Sequence, residues 1–157
     1  MDDAAILQKL SDEGLELPPA PQALAAYIPV VVSGTMAVVS GQIPMRNGEV
    51  IAAGKVGQGV TVEEGAAAAR QAALQSLAAL RSTLGSFDRL VRIVQVTVYV
   101  AAMPDFIEHP RVANGASDLL GKILGENGTH ARAAVGVTSL PLGASVEVAM
   151  IAEISLT

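Results

Sequence analysis

The sequence predicts an α+β domain in which two main helices cover one face of a mixed β-sheet. Three kinds of pattern lead to this prediction: a pair of β-branched runs, two stretches with helical spacing of apolar residues, and three later strand-like runs. The β-branched runs fall at 27–44, and the helical spacing is found at 62–84 and 110–124. The later strand-like runs are 90–100, 131–138 and 145–154. The chain of 157 residues is interpreted as one domain, 1–157, in which residues 1–20 form an N-terminal helix and a linker.

The N-terminal part of the chain contains a helix signal followed by a hairpin signal. Residues 2–13 carry apolar side chains on one helical face and are followed by Gly14, which favours a helix end. Residues 27–44 contain two β-branched runs that meet at 33–35, and the second run ends at 40–41. Small and polar residues between such runs predict a β-hairpin.

The middle of the chain predicts a long helix and then a long strand. Thr61 and Glu64 have the spacing of a capping box, and Gly85 stands where the helix is expected to end. One apolar face of this helix is expected to lie on a sheet. The strand at 90–100 alternates, and one of its sides is predicted to consist of Arg92, Val94, Val96, Val98 and Val100.

The C-terminal third of the chain predicts a second main helix and two strands. Pro110 suits the first turn of a helix that continues to Leu124. The strands at 131–138 and 145–154 flank a turn at 140–143, so they are predicted to pair with each other as a hairpin.

Composition and charge disfavour several classes of protein. The net charge is −5, only ten residues are lysine or arginine, and aromatic residues make up 3% of the chain, which disfavours a nucleic-acid partner. There is no cysteine, no targeting signal and no apolar run of the ~20 residues that a membrane span needs, so a cytoplasmic location is expected. Because 51% of the residues are hydrophobic, some apolar surface is expected to face another subunit.

Familiar catalytic and cofactor-binding motifs are not found in the sequence. The glycine-rich residues 54–59 lack the spacing of a phosphate-binding or dinucleotide-binding loop. His109 and His130 have no second His or Cys at metal-ligand spacing, and no serine stands in a Gly-x-Ser-x-Gly motif. The sequence therefore predicts neither a metal nor a cofactor.

Arg132 and Glu147 require an explanation, because both are charged within apolar, strand-like stretches. Burying such charges without partners is costly, so they form either a structural ion pair or a binding site. If the final strands turn at 141–142, Arg132 faces residue 151, which lies about 13 Å along the strand from Glu147. A direct ion pair would then need a bulge, a bend or a neighbouring subunit. An arginine that its own hairpin leaves unpaired is suited to bind a carboxylate through two parallel hydrogen bonds.

Three segments in a fixed order resemble the Rid family, the reactive intermediate deaminases that are also called YjgF-like or L-PSP endoribonuclease-like proteins. They are SGQIP at 40–44, the helix and strand at 69–106, and the pattern Arg132-x8-Pro141-x5-Glu147. The resemblance extends from about residue 15 to the C-terminus. Residues 112–141 look more like a divergent branch of that family than like its archetype.

The resemblance implies a chorismate-mutase-like fold, assembled as a homotrimer with ligand clefts between subunits. It also implies cofactor-free hydrolysis of enamine and imine intermediates, such as 2-aminoacrylate and 2-iminopropionate, to 2-keto acids and ammonia. By this resemblance Arg132 binds the substrate carboxylate and Glu147 positions the attacking water. Ser40 and Gly41 are implied to belong to the substrate-binding group, in which the backbone N–H of Gly41 helps to hold the carboxylate.

Four further positions are expected to bind the substrate. By the same resemblance, Tyr27 and Asn114 match the tyrosine and the asparagine of the family's cleft. Ala134 stands where the archetype has a cysteine, two residues after the arginine. His130 is an additional titratable group beside the arginine.

Two other functions stay open at the level of the sequence. One is a non-catalytic trimer that binds a small carboxylate metabolite, which keeps Arg132 as an anion anchor and is favoured by the missing cysteine. The other is ribonuclease activity, which the family's alternative name suggests. The acidic composition and the scarcity of aromatic residues disfavour it.

Overall fold

The structure is a computed structural model that describes residues 1–21 and 26–156. Its helices and strands are α1 (Asp3–Asp12), β1 (Val30–Ser33), β2 (Met36–Gln42), β3 (Met45–Arg46), β4 (Glu49–Val50), β5 (Lys55–Val56), β6 (Gly59–Val60), α2 (Val62–Leu84), β7 (Leu90–Ala101), α3 (His109–Leu124), β8 (Ala131–Val137) and β9 (Val146–Ile154). Two 3-10 turns, Gly125–Gly128 and Pro141–Gly143, precede β8 and β9. The predicted helices and main strands are confirmed. Within the described ranges, no helix is both long enough and apolar enough to cross a membrane.

Five strands form the central sheet in the order β1-β2-β9-β7-β8. β7 and β8 are parallel and the other neighbouring strands are antiparallel, so the sheet is mixed, as predicted. Helix α2 contacts β2 and β9, while α3 contacts β7 and β8. Both main helices therefore cover the same face, which confirms the predicted α+β class.

The predicted pairing of the last two strands with each other is wrong. β9 lies between β2 and β7, whereas β8 pairs with the other side of β7 at the edge of the sheet. Parallel neighbours such as β7 and β8 need a crossover connection, and α3 supplies it. The turn at Pro141–Gly143 then carries the chain across the end of β7 to β9, instead of closing a hairpin. Arg132 is consequently opposite Val96 and not opposite residue 151.

Irregularities in β7 change which of its side chains face the helices. The register between β7 and β9 shifts twice between residues 90 and 95. The three valines from residue 96 onward are buried under the helices, but Arg92 is exposed and Val94 is only half-buried. The prediction of one continuous face along this strand is therefore wrong before residue 96, because each shift changes the side to which the following side chains point.

Helix α2 lies at the centre of the core. The Thr61 side chain and the Glu64 carboxylate each accept a hydrogen bond from the other residue's backbone N–H, which confirms the predicted capping box. Helix α3 packs closely against α2 because Gly115 has no side chain: a Cβ there would lie 1.8 Å from the carbonyl oxygen of Ala66. This close packing fixes the position of α3 above the edge strand β8.

The face of the sheet opposite to the main helices is rich in small and β-branched residues. Val31 and Val38 are paired across β1 and β2, and both are exposed. Val135 on β8 is exposed as well. Within the described chain, this open face carries exposed apolar side chains of the kind that the composition predicts.

Candidate functional site

Arg132 lies on the edge strand β8, and its side chain reaches helix α3. Its Nη1 donates to Asn114 Oδ1 at 2.9 Å and to Ser117 Oγ at 3.0 Å. Asn114 and Ser117 lie three residues apart, and therefore on the same face of the helix. We refer to Asn114, Ser117, His130 and Arg132 as the arginine cluster.

Both hydrogen bonds of Arg132 use the same end of its guanidinium. They engage Nη1, whose two N–H groups are thereby occupied. Among the described residues, none accepts a hydrogen bond from Nη2 or Nε, and no carboxylate forms a salt bridge with Arg132. The edge formed by Nη2 and Nε is the one that can bind a carboxylate with two parallel hydrogen bonds. Arg132 is thus held at one end and free to bind an anion at the other.

Glu147 lies on β9 and borders a pocket of about 510 Å³. Three other residues that the sequence predicts for the site, Tyr27, Ser40 and Gly41, line the same pocket. Apolar side chains form much of the remaining wall, namely those of Pro29, Ile43, Met45, Pro141 and Leu142. We refer to this cavity as the glutamate pocket.

The Glu147 carboxylate is half-buried without a partner among the described residues. It accepts no hydrogen bond and forms no salt bridge there. Burial raises the pKa of this carboxyl group above its ordinary value, because a low-polarity environment disfavours the charged form. A carboxylate of this kind can accept a proton near neutral pH more readily than an exposed one.

Gly41 makes room for the Glu147 carboxylate. A Cβ at residue 41 would lie 2.0 Å from Glu147 Oε1 and 2.8 Å from its Cδ. Real Cβ atoms do not approach other atoms so closely, so any side chain here would displace the carboxylate. The glycine of the SGQIP segment therefore has a packing role in the pocket, in addition to the backbone role that the resemblance implies.

Ser40 and Tyr27 form the side of the pocket next to β1. The Ser40 hydroxyl donates to the carbonyl oxygen of Ile28 at 2.8 Å, and its backbone N–H donates to the carbonyl oxygen of Pro29 at 2.8 Å. These bonds tie the segment that carries Tyr27 to β2. The Tyr27 side chain borders the pocket and is about half exposed.

The arginine cluster and the glutamate pocket lie on opposite faces of the sheet within one chain. Arg132 is paired with Val96, which is buried under the helices, whereas Glu147 is paired with Tyr99 on the open face. β7 separates their strands, and the two residues are also offset by three positions along the sheet. The backbone separation is about 10 Å in each direction. An ion pair between Arg132 and Glu147 of the same chain is therefore excluded by the geometry.

The structure also places His130 and Ala134. The His130 ring contacts Ser117 Oγ through Nε2 at 3.0 Å and the Gly128 carbonyl oxygen through Nδ1 at 2.6 Å. Ala134 lies on the same face of β8 as Arg132 and packs against the core. Ser117 is not among the residues that the sequence predicts. Its position three residues after Asn114 on a helix is the signal that could have identified it.

A larger cavity of about 730 Å³ lies between the N-terminal linker, the β3–β4 turn and α2. None of the predicted site residues lines it, although Met45 and Gln75 border both cavities. Gln71 and Gln75, which lie in its wall, hold the backbone of Met45 by hydrogen bonds. We assign the candidate site to the glutamate pocket, because it contains a half-buried carboxylate without a partner.

Comparison with known proteins finds a family and similar folds along nearly the whole chain. Residues 8–154 match the family model described as "YjgF/chorismate mutase-like, putative endoribonuclease". The chain is 44% identical over 153 residues to Protein TCP17 of Trypanosoma cruzi, covering 97% of this chain and 94% of that protein.

Two solved structures are similar along nearly their whole length. The protein Atu1372 from Agrobacterium tumefaciens, of unknown function, is 41% identical with a TM-score of 0.92, and the alignment covers 98% of this chain and 94% of that one. A putative endoribonuclease from Shewanella oneidensis is 36% identical with a TM-score of 0.91, and the alignment covers 94% and 98%. The chain therefore belongs to the YjgF/chorismate mutase-like family.

Proposed function

We propose that this protein hydrolyses enamine and imine intermediates to 2-keto acids and ammonia at a site formed between two protomers. In this site Arg132 of one protomer binds the substrate carboxylate, and Glu147 of the next protomer positions the attacking water. The observation that carries the proposal is the pair of charges without an ionic partner among the described residues: Arg132 is held by two hydrogen bonds, and the Glu147 carboxylate is half-buried.

The proposed reaction uses the free end of Arg132 and the raised pKa of Glu147. The carboxylate binds to Nη2 and Nε of Arg132, which orients the neighbouring C=N carbon. Glu147 accepts a proton from water as the water oxygen attacks this carbon and the electron pair of the C=N π bond moves to the nitrogen. The protonated Glu147 then gives this proton to the nitrogen, which forms the carbinolamine. Glu147 next transfers the hydroxyl proton of the carbinolamine to the nitrogen as the C–N bond breaks, which releases ammonia and leaves the C=O group of the keto acid. Imine hydrolysis has a low intrinsic barrier, so orientation and one positioned water supply what the reaction needs without a cofactor.

Assembly into a homotrimer is part of the proposal. The two halves of the site lie on opposite faces of one chain's sheet, so a second chain is required to bring them together. The open sheet face, with Val31, Val38 and Val135 exposed, offers an apolar surface for that contact. A closed ring of identical subunits repeats the same composite site at each boundary.

A small amino-acid ligand is known in one related structure. TdcF of Escherichia coli, whose structure contains bound serine, is 25% identical to this chain with a TM-score of 0.61. Serine carries a carboxylate of the kind that we propose for the ligand of Arg132. This relative supports a small carboxylate ligand and does not bear on the reaction.

The proposal is tested by coupling the protein to an amino-acid oxidase that generates 2-iminopropionate from alanine. The wild-type protein should accelerate the release of ammonia above the spontaneous rate. Loss of a charged partner from a desolvated site costs roughly 2–5 kcal/mol, so Arg132→Ala should lower kcat/KM roughly 30- to 5,000-fold. Arg132→Lys should restore little of it, because lysine lacks the planar fork. A wild-type protein that leaves the spontaneous rate unchanged for several amino acids would contradict the proposal.

A non-catalytic carboxylate-binding protein is the second candidate. Ala134 favours it, because the archetype's cysteine is replaced by a side chain that packs into the core without polar contacts. Such a protein should bind pyruvate through Arg132 and show no turnover of 2-iminopropionate. Turnover that is lost in Glu147→Gln would dismiss this candidate.

A further inference from the structure

The arginine cluster contains a continuous chain of hydrogen bonds that ends on Arg132. It runs from the Gly128 carbonyl oxygen to His130 Nδ1 (2.6 Å), from His130 Nε2 to Ser117 Oγ (3.0 Å), and from Ser117 Oγ to Arg132 Nη1 (3.0 Å). A carbonyl oxygen can only accept, so Nδ1 of His130 carries the proton of this bond. In the neutral ring Nε2 is then an acceptor, and the Ser117 hydroxyl donates to it while its oxygen accepts from Arg132.

The first group in this series of hydrogen bonds, the Gly128 carbonyl, is fixed by close packing. Gly128 is buried, and a Cβ there would lie 2.1 Å from the backbone carbonyl oxygen of Leu120 in α3. The turn at Gly125–Gly128 therefore lies directly against the helix that carries Ser117. As a result, the carbonyl oxygen, the imidazole and the hydroxyl have defined positions relative to one another.

The last hydrogen bond of this series, from Arg132 Nη1 to Ser117 Oγ, determines how Arg132 is oriented. Asn114 alone would give Nη1 a single contact, about which the guanidinium plane could rotate. The second contact, with Ser117, fixes that plane. The Nη2 and Nε edge then points in one direction, and a bidentate contact with a planar carboxylate depends on that direction.

We infer that Ser117 and His130 form a brace that orients the carboxylate-binding edge of Arg132. His130 fixes the hydroxyl of Ser117, and Ser117 fixes the guanidinium. Both are positioning residues, since the brace lies on the opposite side of the guanidinium from the ligand. This inference rests on the proposed role of Arg132 as the carboxylate ligand.

Calorimetric binding of pyruvate to the purified full-length protein tests the brace, together with the kinetics of 2-iminopropionate hydrolysis. Ser117→Ala removes one hydrogen bond to a charged group and should raise the Kd about 10-fold. KM should rise by a similar factor while kcat stays within about 2-fold, because Ser117 does not act on the reacting atoms. Ser117→Thr keeps the hydroxyl and should bind nearly as the wild type does. Ser82→Ala makes the same chemical change on an exposed face of α2 and should change neither constant.

The double variant distinguishes a connected brace from two separate effects. His130→Ala should weaken pyruvate binding to a degree similar to Ser117→Ala. The double variant should bind pyruvate no more weakly than either single variant, because His130 acts through Ser117. Additive effects, or unchanged binding in Ser117→Ala, would overturn the inference. If Ser117→Ala does not fold, His130→Ala leaves α3 unchanged and decides the question by the same criterion.

Arg132→Ala separates this inference from the proposed function. If Arg132→Ala loses pyruvate binding while Ser117→Ala and His130→Ala keep it, only the brace is wrong. If Arg132→Ala binds pyruvate as tightly as the wild type, the proposed role of Arg132 is wrong and the brace is overturned with it.

Discussion

Replacing Gly41 by alanine perturbs the glutamate pocket at one defined point. The added Cβ would lie 2.0 Å from Glu147 Oε1, whereas ordinary contacts begin at 3.4 Å, so the carboxylate oxygen must move by at least about 1.4 Å. The obstructing atom is the far end of a flexible side chain, so the carboxylate can move while the backbone stays in place. We therefore expect Gly41→Ala to fold.

The expected effect on activity follows from this displacement. Misplacing a catalytic group by 1 Å can cost about 100-fold in rate, so kcat for 2-iminopropionate should fall about 100-fold in Gly41→Ala. The coupled oxidase assay measures it, and a thermal melt checks that the fold is retained. Gly121→Ala is the matched control: nothing lies within 4 Å of a Cβ at this position in α3, so activity should stay at the wild-type level.

The account would be refuted by a Gly41→Ala protein that folds and keeps a wild-type kcat, because Glu147 could then not be the group that positions water. A second comparison tests whether the effect passes through the carboxylate. In a Glu147→Gln background, Gly41→Ala should lower the remaining activity little further, because the group that it displaces has already lost its function.

Three further predictions concern charges and can be checked with purified variants. Glu147→Gln should lower turnover roughly 10²- to 10⁴-fold. The variant should nevertheless have a higher melting temperature than the wild type at pH 7. Because burial raises the pKa of Glu147 in the folded protein, the charged carboxylate destabilises the fold at neutral pH, and this effect disappears below the ordinary pKa of 4.5. A lower melting temperature at pH 7 would instead favour a structural role. Arg132→Ala should melt within a few degrees of the wild type and lose the protection that pyruvate gives; a collapse of the melting transition in a protein that never responded to pyruvate would favour a structural arginine. Asp3→Asn should melt a few degrees lower at pH 7, because the hydrogen bonds from Arg81 lower the pKa of Asp3 and stabilise the fold above its ordinary value of 3.8; this difference should shrink as the pH falls below 3.8 and disappear once the pH is below the lowered pKa of Asp3 in the folded protein, and a constant difference would contradict the assignment.

Local signals in the sequence were sufficient for most of the fold. The capping box at Thr61 and Glu64 sets the start of α2 through hydrogen bonds between near neighbours, and Gly85 ends the helix with a φ of 85° that favours glycine. Both signals are local, so they can be recognised without the tertiary structure. The strands were recognisable for the same reason, from β-branched residues between turns. The pairing of β8 with β7 was not, because it depends on the crossover through α3 and on contacts between residues far apart in the chain.

The candidate site could be predicted only in part. Arg132 and Glu147 were identifiable because charges in apolar strands are unusual, and the structure shows both without ionic partners among the described residues. Their location on opposite faces of the sheet was not foreseeable, since it follows from the order of β7, β8 and β9. The sequence carries one signal for Ser117, its position three residues after Asn114 on the same face of a helix. That signal points to Arg132 only when α3 is placed beside β8.

Mixing two inactive variants tests most directly whether the site is shared between protomers. Arg132→Ala and Glu147→Gln chains are co-expressed in equal amounts with different tags, and the doubly tagged complexes are assayed with 2-iminopropionate. In a ring of identical subunits, random mixing gives about one quarter of the boundaries an intact Arg132 from one chain and an intact Glu147 from the next. The mixture before purification should therefore recover about one quarter of the wild-type activity, and the doubly tagged fraction should recover more. Mixed complexes that stay as inactive as the two parents, while a wild-type sample prepared in the same way is active, would contradict a composite site.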